Sequence, residues 1–197
     1  MPSPIAHTTT GYIIHKMYQA QRPGQSWGRL GPLPVLLIVT AGLSLLPDID
    51  SVAGFLLEDF GRYHNNGSHS LLVGLAVALG IGGLVWWIKR SGFFYWFTLV
   101  LLCYQLHVIL DYFTVGRGVM LFWPLSSARF ESPVKFFYGL HWSDGTVSVN
   151  HIWTLLNELG FAVLAVFVMH FLGRRMTHFR SVRCFSNRSP ESVPEGG

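Results

Sequence analysis

His107 and Asp111 stand one helical turn apart near the end of a long apolar run. At that spacing they share a helix face, and a nitrogen and an oxygen there can chelate one cation. The stretch SLLPDIDSV, residues 44–52, adds two carboxylates, Asp48 and Asp50, directly after Pro47. The stretch YHNNGSHSLL, residues 63–72, adds His64 and His69 on either side of Gly67, where the backbone can bend and let the rings converge. Carboxylates so placed can bind one metal, bridge two, or accept hydrogen bonds from ligand histidines. A His/Asp mixture without cysteine suits zinc, manganese or iron better than a Cys-rich structural zinc site. The blander reading is a set of hydrogen-bonded helix ends, with Asp50 capping a short helix over SVAGFLLEDF. Ionisable groups at membrane depth are costly and mostly functional, which favours the ligand reading for His107 and Asp111.

The elements that must carry these residues are apolar. Half of the 197 residues are hydrophobic and 12% are charged, about half the charged share of a soluble domain. The expected fold class is all-α: a polytopic helical membrane protein of about five membrane-associated helices, with the polar site at their outer ends. The segments are 4–18, 31–46, 69–88, 93–113 and 151–172. The first either spans or lies in the interface. They form one helical membrane domain, 1–185, followed by a disordered tail, 186–197. Cys103 and Cys184 form no disulfide framework, and the N-terminus has no signal-peptide pattern.

Charge gives an orientation. Alternating the segments puts Lys16, Arg22, Arg29, Lys89, Arg90, Arg174, Arg175, Arg180, Arg183 and Arg188 on one side, with only Glu191 and Glu195 as acids. The positive-inside rule makes that side cytoplasmic, together with the C-terminal tail. His7, Asp48, Asp50, His64, His69, His107, Asp111 and Glu158 then all converge on the opposite, non-cytoplasmic face. No nucleic-acid partner follows from this distribution, and no oligomeric state.

Four elements in this order resemble the YdjM-like family of membrane-bound (inner membrane) metal-dependent hydrolases. They are AHTTTG with His7 and Gly11, LPDID with Asp48 and Asp50, HNNGSHSLL with His64, Ser68, His69 and Ser70, and HVILDYFTVGRGVMLFWPLS with His107, Asp111, Thr114, Pro124 and Leu125. Where the family form of the third element has Arg and Thr, this chain has Asn65 and Ser68. The order is distantly similar to the ligand order of zinc-dependent phospholipase C and the P1-type nucleases. The resemblance implies His7, Asp48, His64 or His69, His107 and Asp111 as metal ligands. It implies one or two divalent ions, zinc first and manganese or iron as alternatives, and a bacterial plasma (inner) membrane.

The expected function is a metal-dependent hydrolase acting at the outer membrane–water boundary. Its substrate would be a phosphoester, from the distant resemblance, or a lipid, from the site's place at the bilayer surface. Asp50 or Glu158 serves as general base, because an acid not committed to the metal can take a proton from water. The aromatics of residues 114–150 are read as an interfacial belt. The alternative is a non-enzymatic membrane protein, in which a metal pins helix ends or is itself transported.

Overall fold

The computed structural model describes residues 3–21, 32–57, 64–139 and 149–186. The expected tail lies outside the described residues apart from Ser186, as do Glu58, Asp59, Arg62 and Asp144. The described residues form six α-helices: α1 (Pro4–Gln21), α2 (Pro32–Ser44), α3 (Ile49–Leu56), α4 (Leu71–Lys89), α5 (Phe93–Tyr112) and α6 (Val149–Ser186). Among them there is no strand, only isolated bridges pairing Thr114 with Phe137 and Val119 with Phe130.

Three helical stretches are long and apolar enough to cross a membrane: Leu71–Lys89, Phe93–Tyr112 and Val149–Gly173. A fourth candidate is the pair Val35–Ser44 and Leu46–Val52, bent by 52°. The bend comes from sequence. Leu45 closes α2, Pro47 enters a 3-10 turn over Leu46–Asp48, and α3 starts at Ile49. Proline has no N–H to continue the α2 ladder but suits the first turn of a new helix. Asp48 and Asp50 are therefore presented at a corner rather than along a straight helix.

The first segment differs from the other expected spans. α1 is not among the candidate spans, and it packs against α2, α5 and α6. Its buried residues include His7, Thr9, Thr10 and His15 beside Ala6 and Ile14. A helix this polar is accommodated because its hydroxyls are satisfied locally: Thr9 Oγ1 donates to the Ile5 carbonyl and Thr10 Oγ1 to that of His7, both at 2.7 Å. Gly11 permits the close packing. A Cβ there would lie 2.8 Å from the Thr40 carbonyl oxygen and 2.9 Å from the Ala41 Cα, so any larger residue would push α1 off α2.

α6 is longer than its apolar stretch and divides its faces cleanly. Trp153, Leu156, Val163 and Phe167 are exposed, as lipid-facing residues are, whereas Thr154, Glu158 and Ala165 point inward. Glu158 is fully buried and grips the start of α1. Its carboxylate accepts from the Ser3 amide and the Ser3 hydroxyl, each at 2.5 Å, and from the Ala6 amide at 3.1 Å. This is an N-terminal cap delivered from another helix: it accepts from the Ser3 amide, gives the Ala6 amide a second acceptor beside the Ser3 carbonyl, and places a carboxylate at the positive end of the helix dipole.

Candidate metal centre

Six side chains meet where α1, the Leu46–Asp48 corner, the turn before α4 and the end of α5 come together. α5 delivers His107 and Asp111, with their side chains fully buried. His69 comes from the 3-10 turn Gly67–His69, which ends where Ser70 caps α4 by accepting from the Leu72 amide. α1 delivers His7, whose ring stacks on His107 at 3.6 Å between centroids and 15° between planes.

The ligand atoms point at one another. His107 Nε2 lies 3.1 Å from His69 Nε2, 3.2 Å from Asp111 Oδ2 and 3.5 Å from Asp48 Oδ1. His69 Nε2 lies 3.0 Å from Asp111 Oδ2 and 3.5 Å from Asp48 Oδ1. His7 Nε2 lies 3.8 Å from Asp111 Oδ1. Two ligand atoms each about 2.1 Å from a zinc ion at a tetrahedral angle are about 3.4 Å apart, so this spacing fits a shared cation.

Tautomers sharpen the argument. His107 Nδ1 is 2.7 Å from the Ser44 carbonyl, which can only accept, so Nδ1 carries the hydrogen and neutral His107 offers a lone pair at Nε2. His69 Nδ1 faces Asp50 Oδ2 at 3.3 Å, an acceptor as well, and its Nε2 is likewise left for the cluster. With both rings neutral, acceptors therefore face acceptors. His7 Nδ1 and Nε2, Asp48 Oδ1 and both Asp111 oxygens are buried without an aligned hydrogen bond. Buried polar atoms are normally satisfied, and a bound cation would satisfy those of the set that face the cluster, His7 Nε2, Asp48 Oδ1 and the Asp111 oxygens. Three groups have ligand atoms close enough for one ion: His7, Asp48 and His107; His69, His107 and Asp111; and Asp48, Asp50, His64 and His69. The first two share His107, and the third adjoins them through Asp48 and His69. This leaves room for one ion or for two neighbouring ones.

A family model described as YdjM inner membrane protein matches residues 1–180. The chain belongs to the YdjM inner membrane protein family. No curated protein and no solved structure matches it. YdjM membership makes this a multi-pass inner membrane protein and extends the likeness well past the four motifs, which end at residue 126.

All six expected ligands, His7, Asp48, His64, His69, His107 and Asp111, fall within those three groups, and Asp50 joins them. Asp50 sits on the outer edge, 2.9 Å from His64 Nδ1 and 2.5 Å from the Ser68 hydroxyl, which donates to it. Glu158, the other acid expected to take a proton, is in none of the groups; its oxygens hold the N-terminus of α1, directly before His7. Four contributors carry little or no signal in the sequence. The Ser44 carbonyl is a backbone group. Ser51 Oγ, 2.7 Å from His64 Nδ1, is marked only by its place next to Asp50. Arg117 and Arg129 approach from a distant loop.

His69, just outside the Leu71–Lys89 span, shows the electrostatics. Burial alone would lower its pKa, but Asp111, Asp48 and Asp50 outweigh burial and hold it well above the ordinary value. The ion-free fold therefore draws stability from charged His69. That contribution is complete below the unfolded pKa of about 6.5 and disappears as pH rises through the folded value. A metal needs the same Nε2 lone pair and must displace that proton. Thermal stabilisation by added zinc is thus expected to grow as pH rises from about 6.5 into the alkaline range. A zinc-induced shift in Tm that is flat, or shrinks, over that interval would contradict this proton competition.

Proposed function

We propose that this protein is a metal-dependent hydrolase of the bacterial inner membrane, acting on a phosphoester or lipid-type substrate at the non-cytoplasmic boundary. One observation carries the reading: the Nε2 atoms of His69 and His107 converge to 3.1 Å among the Asp48 and Asp111 carboxylates. Such an arrangement calls for a positive charge at its centre, which the His69 proton supplies in the ion-free fold and a divalent ion would supply in its place. When bound, a divalent ion supplies Lewis acidity and a water whose pKa is brought toward about 7.

The chain's own groups divide the remaining work. The Ser44 carbonyl fixes the tautomer and ring plane of His107, and Asp50 does the same for His69. Asp50 is the group we assign as general base. Its side chain is 13% exposed, so it can meet water, whereas that of Asp111 is fully buried. The Ser68 hydroxyl and His64 hold it in place. His64 keeps Nε2 buried and unpartnered among the described residues, as a ligand to a second ion or a relay for the proton would. Glu158 serves the site at one remove, by anchoring the helix that carries His7.

The test is reconstitution. Purified protein supplied with zinc or manganese is expected to hydrolyse a phosphomonoester, phosphodiester or phospholipid probe. Chelation should bring turnover to background, and returning the ion should restore it. Hydrolysis that persists after the ion is shown to be gone would rule out the metal's role.

A further inference from the structure

Arg117 and Arg129 belong to the loop between α5 and α6, yet both reach the segment that begins with His64. Arg117 Nη2 donates to the His64 carbonyl. Arg129 Nη1 donates to the carbonyls of Asn65 at 2.8 Å and Gly118 at 3.1 Å, and its Nη2 donates to Asn66 Oδ1 at 2.7 Å. Neither has a carboxylate partner among the described residues; the nearby acids, Asp48, Asp50 and Asp111, face histidines. Two guanidiniums are thus brought together without a counter-charge among the described residues. Burial and then the charge of Arg117 both disfavour the protonated form of Arg129.

The segment they hold is conformationally unusual. Asn65 has φ of 59°, in the left-handed region, and its side chain is buried with Oδ1 unpartnered among the described residues. Non-glycine residues persist there when their surroundings over-determine them. Arg117 is exposed and uses one contact of a five-donor group, leaving donors free to bind a ligand.

Resting on the metal-centre reading, we infer that Arg117 and Arg129 form the anion-recognising wall of the site and select a substrate carrying a tetrahedral phosphate. Charge supports the assignment. The three carboxylates of the cluster outweigh a single divalent ion and would repel an anion, and the two guanidiniums reverse that sign. Geometry narrows the class. A carboxylate's two oxygens lie in one plane, whereas the oxygens of a phosphate point to tetrahedral corners and can address a metal and guanidinium donors in different directions. The phosphate can belong to a lipid headgroup or to a soluble ester.

The experiment uses the full chain, loaded with zinc, and inorganic phosphate as probe, with binding read by calorimetry and metal content by elemental mass spectrometry on the same samples. Arg117→Gln and Arg129→Gln are each expected to weaken phosphate binding about ten- to hundred-fold, the value of a charge-assisted hydrogen bond, with the metal retained. Arg117→Lys, which keeps the charge, should stay closer to wild type than Arg117→Gln. Unchanged phosphate affinity in both Gln variants, or no phosphate binding by the zinc-loaded wild type, overturns the inference. Parallel loss of metal and phosphate in all three variants also overturns it, because the arginines would then only brace the His64 segment. Arginine-dependent phosphate binding by a wild type that takes up no metal would sink the metal reading and leave the anion wall standing. Repeating the titration in phosphatidylglycerol nanodiscs and in a phosphate-free detergent separates the sources. Competition by phosphatidylglycerol assigns the wall to a lipid headgroup, and equal binding assigns it to a soluble phosphoester.

Discussion

Asp111→Asn is expected to empty the metal centre while leaving the helices in place. Asp111 has a fully buried side chain and lies within 3.8 Å of His7, His69 and His107. Asparagine keeps its shape and removes its charge. Loss of a partner that merely orients a ligand costs about 10–100-fold in metal affinity, so loss of this central oxygen should exceed that and approach about a thousand-fold. The checks are zinc affinity by competition with a chromogenic chelator and helical content by circular dichroism. Retention of zinc at wild-type affinity would show that the ion, if there is one, lies elsewhere.

Asp50→Asn is expected to separate binding from turnover. Asp50 touches His64 and His69 but stands at the open edge of the cluster. As a general base it accounts for about 10²–10⁴-fold in rate. As an orienting partner of His69 it accounts for about 10–100-fold in metal affinity, which saturating zinc overcomes. The expected result at saturating metal is a protein that holds its ion and has lost at least about a hundred-fold in kcat. Wild-type kcat in this variant would remove Asp50 from the chemistry. A wild type that holds metal and turns over no substrate would favour an ion that only pins helix ends together.

The parts of this site that local spacing encodes were legible in the sequence, and the parts built by distant contacts were not. His107 and Asp111 are neighbours because a helix repeats every 3.6 residues, and α5 is apolar enough to be recognised as one. Asp48 and Asp50 were visible beside Pro47, although the corner that presents them, with α3 following directly, needed the structure. His7 is different. Nothing in its own segment says that it stacks on His107; α1 is placed by Gly11 against α2 and by Glu158 of α6, which lies 155 residues from Ser3. The partners of Glu158 are hidden for the same reason: they are Ser3 and Ala6, at the other end of the chain. The sequence of α1 left both spanning and interfacial placement open; its histidines and threonines face the bundle interior. The arginine contacts escaped notice because guanidinium-to-carbonyl bonds between loops leave no periodic trace.

The most direct test of the central claim is the metal content of the protein itself. The wild-type chain should be purified in detergent without a chelating tag and measured by elemental mass spectrometry, before and after stripping and re-addition of zinc or manganese. The account expects one or two equivalents of a divalent ion per chain, recovered after stripping in the wild type and not in His107→Ala. A folded wild type that carries no ion and takes up none on re-addition would contradict it, and the cluster of His7, Asp48, His69, His107 and Asp111 would then be a proton-sharing network at the helix ends.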